Sequence, residues 1–68
     1  MRKRLQQARK DKGLTQQQMA KYLNISVRAY QSIEYAERIG SIAIWDKLED
    51  LFKIHQRLLR EVSERPNR

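Results

Sequence analysis

Arg28, Gln31 and Ser32 put a guanidinium, a carboxamide and a hydroxyl at spacings of three and four inside the run ISVRAYQSIE. On a helix such spacings share a face, so these three groups form one hydrogen-bonding surface. A face that only meets water is usually filled with Glu and Lys. Covalent or metal chemistry has no comparable set: there is no Cys, His55 stands alone, and neither a Gly-rich phosphate loop nor a cluster of acids is present. In EDLFKIHQRL no second ligand lies at metal-binding spacing from His55, which fits better as the cap or first turn of a helix. A binding protein is therefore expected, not an enzyme, with no metal, cofactor, disulfide or evident small-molecule ligand.

The chain has 68 residues, one domain near the lower limit at which a single core holds without staples. Fifteen Lys plus Arg against eight Asp plus Glu leave a net charge of +7, which favours an anionic partner. Arg2, Lys3, Arg4, Arg9, Lys10 and Lys12 are expected to form a basic face suited to long-range attraction of DNA. No apolar run approaches the ~18 residues of a membrane span, and MRKRLQQARK lacks the apolar stretch of a secretion signal. The expectation is a cytoplasmic protein.

The elements that must carry the polar face are all helical. Gly and Pro occur only at Gly13, Gly40 and Pro66, so the fold class is all-α, a compact bundle of five short helices. A charged helix over 2–12, with Leu5 and Ala8 on a narrow apolar face, stops at Gly13. Thr15 caps a second helix and Gln18 completes a capping-box spacing; Met19, Ala20 and Leu23 lie on its inner face. Asn24 tolerates the left-handed conformation that closes a helix, and Ser26 caps the next. Tyr30 and Ile33 then face inward. Ser41 caps a fourth helix to about Phe52 with the stripe Ile42, Trp45, Leu48 and Phe52, and a fifth runs from 55 to about 64 with Leu58, Leu59 and Val62. The single domain is expected over 1–64, its helix-turn-helix over 15–34, with 65–68 a frayed tail. Two helices across a tight turn, the second with an outward polar face on a basic chain, match the logic of a helix-turn-helix DNA reader.

The run RKDKGLTQQQMAKYLNIS, a basic helix followed by Gly-Leu-Thr-Gln and a helix with an inward Ala, resembles the phage-repressor and Cro type of helix-turn-helix, the XRE family. The likeness extends from about Leu5 to Leu59 and implies a lambda-repressor-like domain that reads double-stranded DNA. It implies that Gln16 meets a phosphate while bracing the recognition helix over 26–34, and that Ala20 lets two helices approach closely. Val27, Arg28, Gln31 and Ser32 are the implied base readers, with Arg28 suited to guanine O6 and N7, Gln31 to adenine N6 and N7, and Val27 to a thymine methyl. Each bidentate contact is worth roughly 1–3 kcal/mol of discrimination. Thr15, Gln16, Gln17, Ser26, Tyr35 and Arg38 are the implied phosphate or positioning contacts. The chain departs from the family in YAERIGS, where Ala36 replaces Gly and Gly40 replaces Pro; Lys53 also replaces a Gly, and Glu49 a small apolar residue.

Such readers act as dimers on half-sites about one DNA turn apart. Ile44, Leu51, Leu58 and Val62 are apolar beyond the needs of the core and are expected to form a weak or DNA-assisted homodimer interface. The expected function is a sequence-specific transcriptional regulator of phage or mobile-element type that occupies an operator. The competing expectation is a protein-binding helix-turn-helix module, of antitoxin or anti-repressor type, in which Arg28 and Gln31 are dispensable. A membrane-surface role is disfavoured by the thin apolar face of the first helix. RNA binding is disfavoured by aromatics spent on packing positions.

Overall fold

The computed structural model describes residues 1–62 and places five helices in them: α1 (Lys3–Asp11), α2 (Gln16–Leu23), α3 (Val27–Glu34), α4 (Ile42–Phe52) and α5 (Gln56–Arg60). The expected frayed tail, 65–68, lies outside the described residues. Local chemistry accounts for most of the boundaries. Gly13 sits at φ 72 just past α1. The Thr15 hydroxyl accepts from Gln18 N–H at 3.1 Å while the Gln18 side chain accepts from Thr15 N–H at 2.8 Å, a complete capping box. Asn24 is left-handed at φ 61 and ψ 43, and the hydroxyls of Ser26 and Ser41 accept from the amides of Ala29 and Ile44.

One core gathers a stripe from every helix: Leu5 and Ala8, Met19, Ala20 and Leu23, Tyr30 and Ile33, Trp45, Leu48 and Phe52, and Leu59. α2 packs chiefly on α3, α5 bridges α4 and α1, and α1 also lies on α3. Three expectations require correction. Ile42 is 77% exposed, because it opens α4 and the first turn overhangs a core that begins at Trp45. α5 ends at Arg60, not near 64, and Val62 lies beyond it, outside the helix. Glu61 leaves the helix at ψ 133, and the Arg60 carbonyl at the open end of α5 accepts from Arg2 Nε at 2.9 Å. The third concerns Arg2 and Arg9, expected on a solvated basic face. They are only 5% and 8% exposed.

Arg2 fastens the N-terminus to three other segments. Besides Arg60, its guanidinium donates to the carbonyls of Ile33 at 2.6 Å and Arg38 at 3.0 Å, and it lies 5.4 Å from the centre of the Trp45 ring. A cation at the open carbonyl end of α3, stacked on an aromatic face, is favourable on both counts. Burial, with the Arg60 charge nearby, holds the Arg2 pKa below the usual arginine value.

The departures from the family pattern have physical consequences. Gly40 adopts φ 85, a value closed to Pro, and a Cβ there would meet Ile33 Cδ1 at 3.2 Å and Trp45 Nε1 at 3.4 Å. The loop after α3 thus follows a path that Pro cannot take, with Trp45 Nε1 donating to the Ile39 carbonyl. Glu49 is half-buried and, with Asp46, accepts from Gln56 Nε2, which ties the start of α5 to α4. His55 caps α5, its Nδ1 accepting from Arg57 N–H at 3.0 Å.

Ala36 and Lys53 are left-handed without being Gly, at φ 68 and φ 59. Left-handed strain of about 1–2 kcal/mol exceeds the extra chain entropy of Gly, about 0.5–1 kcal/mol. Ala36→Gly should therefore raise stability by about 0.5–1 kcal/mol, seen as a rise of roughly 4 °C in a thermal melt. An unchanged or lower Tm would show that Ala36 is unstrained.

Candidate nucleic-acid interface

The carboxylate of Glu34, at the last position of α3, is wholly buried and sets the geometry of the site. A buried carboxylate is strongly disfavoured unless donors surround it. Here they come from three helices. Arg9 Nε of α1 donates to Oε2 at 2.8 Å and Arg9 Nη2 lies 3.4 Å from Oε1; the Tyr30 hydroxyl of α3 donates to Oε2 at 2.7 Å; Gln16 Nε2 of α2 donates to Oε1 at 2.9 Å. Arg9 Nη1 also donates to the Leu14 carbonyl, which fixes the joint between α1 and α2. No buried side-chain polar atom among the described residues lacks a partner.

These bonds decide which way two amides point. A carboxylate only accepts, so Gln16 must turn its NH₂ inward and leave its oxygen outward. That oxygen accepts from Gln31 Nε2 at 3.1 Å. Gln31 is then held with its own carbonyl oxygen and a second N–H directed away from the network. Glu34 therefore orients Gln31 through Gln16, over a path that crosses from α3 to α2 and back.

Outside this network α3 presents a concave face. Ser26, Arg28, Gln31, Ser32, Tyr35 and Arg38 line it, with Ala29 and Glu37. The reversal after α3 shapes its far wall: Glu37 and Arg38 both donate their backbone N–H to the Ser32 carbonyl, at 2.8 and 3.2 Å. Arg28 is exposed, and Ser32 and Gln31 are half-buried. Tyr35 is 44% exposed at the end of α3, on the rim of the concavity.

The remaining sequence candidates fall elsewhere. Thr15 and Gln17 are exposed at the start of α2, outside the concave lining, and the Thr15 hydroxyl is engaged in its cap. Gln16 is half-buried between Glu34 and Gln31. Val27 is half-buried and packs against the core, so only its outer edge is available. Of the proposed pairing residues, Ile44 and Leu51 also pack against the core, whereas Leu58 and Val62 are 39% and 37% exposed. Leu58 shares a shallow surface with Ile39, which is 67% exposed.

Sequence reasoning put Arg9 on a solvated face instead of in this network, and missed Glu34 and Glu37. A signal for the first two was present: Arg9 follows Leu5 by four, and Glu34 follows Tyr30 by four, so each places a charge on an apolar arc. Opposite charges on two inward arcs are a legible hint of a buried pair.

The network makes Tyr30 sensitive to alkali. Burial, then the bond to Glu34 and its charge, push the phenol's pKa far above the ordinary tyrosine value of about 10. Above that value the unfolded chain loses this proton while the folded chain keeps it, so the contribution is intact below about pH 10 and declines as pH rises further. Tyr30→Phe should lose about 1.5–3 kcal/mol at neutral pH, the worth of a hydrogen bond to a charged group, and show a shallower alkaline decline in denaturant titrations. An unchanged alkaline slope would show that Tyr30 does not bond Glu34.

A family model described as helix-turn-helix matches residues 5–55, most of the chain. No match was found among curated proteins or among solved structures.

Proposed function

The chain belongs to the helix-turn-helix family of DNA-binding proteins, of the XRE type, and from that premise we propose that it is a sequence-specific transcriptional regulator, not an enzyme. α3 lies in the major groove of a double-stranded operator. The observation that carries this reading is the orientation of Gln31, whose free oxygen and free N–H are the pair needed to accept from adenine N6 and donate to N7. Arg28 lies one turn earlier on the same concave face, and in this reading both arms of its guanidinium donate to guanine O6 and N7. Ser26, Ser32, Tyr35 and Arg38 surround them as hydrogen-bond donors for phosphates or base edges. Thr15 and Gln17 meet the backbone at the start of α2, as does Gln16 through what the network leaves free.

The net charge of +7 supplies sequence-independent attraction and a steep salt dependence. One α3 spans only a few base pairs, so a weak or DNA-assisted homodimer on half-sites about one turn apart is part of the proposal. Leu58 and Val62 are its main contacts, with Ile44 and Leu51 at the margin. The setting is cytoplasmic and nucleoid-associated. No helix among the described residues is long and apolar enough to cross a membrane. The biological role is that of a phage or mobile-element regulator of repressor or Cro-like type, which acts by occupying an operator and excluding or recruiting polymerase.

Selection from a randomised duplex pool at near-physiological salt should enrich an inverted repeat with the native chain and none with Arg28→Ala/Gln31→Ala. Enrichment of nothing would leave only general DNA affinity and move the protein-binding alternative to first place, and enrichment retained by the double variant would remove Arg28 and Gln31 as the base readers. Leu58→Glu should abolish dimer sedimentation on DNA and weaken operator binding about tenfold or more, with folding intact. Unchanged sedimentation and affinity would remove this surface from the interface.

A further inference from the structure

The concave face of α3 holds one residue of the opposite sign. Glu37 follows Ala36, whose left-handed φ of 68 reverses the chain, and its N–H donates to the Ser32 carbonyl, so it is carried back onto the outer side of α3. There it is exposed and lines the same surface as Arg28, Gln31 and Arg38. Among the described residues no cation pairs with Glu37, although two guanidiniums share the lining.

A carboxylate on a DNA-facing surface is conspicuous because it only accepts. Phosphates repel it, and so do the acceptors of the major groove: guanine N7 and O6, adenine N7 and thymine O4. Two groove groups donate, adenine N6 and cytosine N4, and adenine sets its N7 acceptor beside N6, against the second carboxylate oxygen. Cytosine N4 is the remaining match.

We propose that Glu37 is a specificity-determining residue that accepts a hydrogen bond from the N4 amino group of one cytosine in each half-site. The proposal rests on the reading of α3 as the recognition helix. In the correct register the carboxylate gains a donor. Where a register sets it against groove acceptors or phosphates it stays unpaired and lowers affinity. Arg28 and Gln31 thus choose by attraction, and Glu37 chooses largely by exclusion.

The experiment is the same duplex selection with the native chain, Glu37→Ala and Glu37→Gln, each checked for helical content and melting. Binding is then measured on the selected duplex, on one with the assigned C·G pair changed to T·A, and on random duplex. The native chain should select cytosine at one position beyond those set by Arg28 and Gln31, and bind the T·A duplex about tenfold more weakly. Glu37→Ala should keep the rest of the motif, lose that one preference, discriminate the two duplexes less than about twofold, and bind random duplex more tightly. Glu37→Gln, which donates as well as accepts, should shift the preference towards adenine. An unchanged motif in both variants overturns the proposal, as does an equal gain on all three duplexes, which would reduce Glu37 to general repulsion of phosphate. If the native chain selects no motif, the parent reading fails and this one with it. A motif that depends on Arg28 and Gln31 but not on Glu37 overturns this proposal alone.

Discussion

The fold depends on one buried negative charge. Glu34 has no contact with water, and its carboxylate is tolerable only while Arg9, Gln16 and Tyr30 all donate to it. Those donors belong to α1, α2 and α3, so the three helices can be arranged in few ways that leave the charge satisfied. Apolar packing is far less directional and would accept a range of helix angles. A buried pair such as Arg9 and Glu34 is weak evidence of net stability, because desolvation offsets much of the attraction, but removing either partner alone is strongly destabilising, by about 3–5 kcal/mol. In a chain of 68 residues that is a large share of the total.

From that constraint the interface follows by hydrogen-bond logic. The carboxylate dictates the orientation of the Gln16 amide, and Gln16 dictates that of Gln31. A side chain that would be free to rotate on an isolated helix is thereby presented in one setting, which lowers the entropy lost when it meets a partner. Arg2 performs the complementary task at the carbonyl end of α3, beside Glu34. By bonding the carbonyls of Ile33, Arg38 and Arg60 it holds the post-helix loop and α5 against the helix terminus. The wall carrying Glu37 and Arg38 is thus attached to the same framework as the helix itself.

The helix count, the joints and the caps were legible because each is decided within a few residues. Thr15 with Gln18, Asn24, Ser26 and Ser41 act on neighbouring amides, and no distant contact overrides them. The outward face of α3 was legible for the same reason, since Tyr30 and Ile33 define the inward one. What sequence patterning did not convey is the sign of burial for charged residues. Arg2 and Arg9 read as part of a basic face because composition cannot tell a solvated guanidinium from one with buried acceptors, and those acceptors, the Leu14 carbonyl apart, lie 25 to 58 residues away. Ile42 misled for the opposite reason: its spacing is correct, but the core does not extend under the first turn of α4. The end of α5 carries a long-range bond to Arg2, which no local rule registers.

The most direct test of the account is an NMR titration of the isotope-labelled chain with duplex DNA bearing its selected site, following backbone amides and the side-chain NH₂ of Gln31. The largest shifts should cluster on Ser26, Arg28, Gln31, Ser32 and the segment 35–38, with the Gln31 NH₂ moving and the Tyr30 hydroxyl remaining protected from exchange. Shifts concentrated on Ile39 and Leu58, with α3 silent, would contradict it and assign recognition to the surface those two residues share.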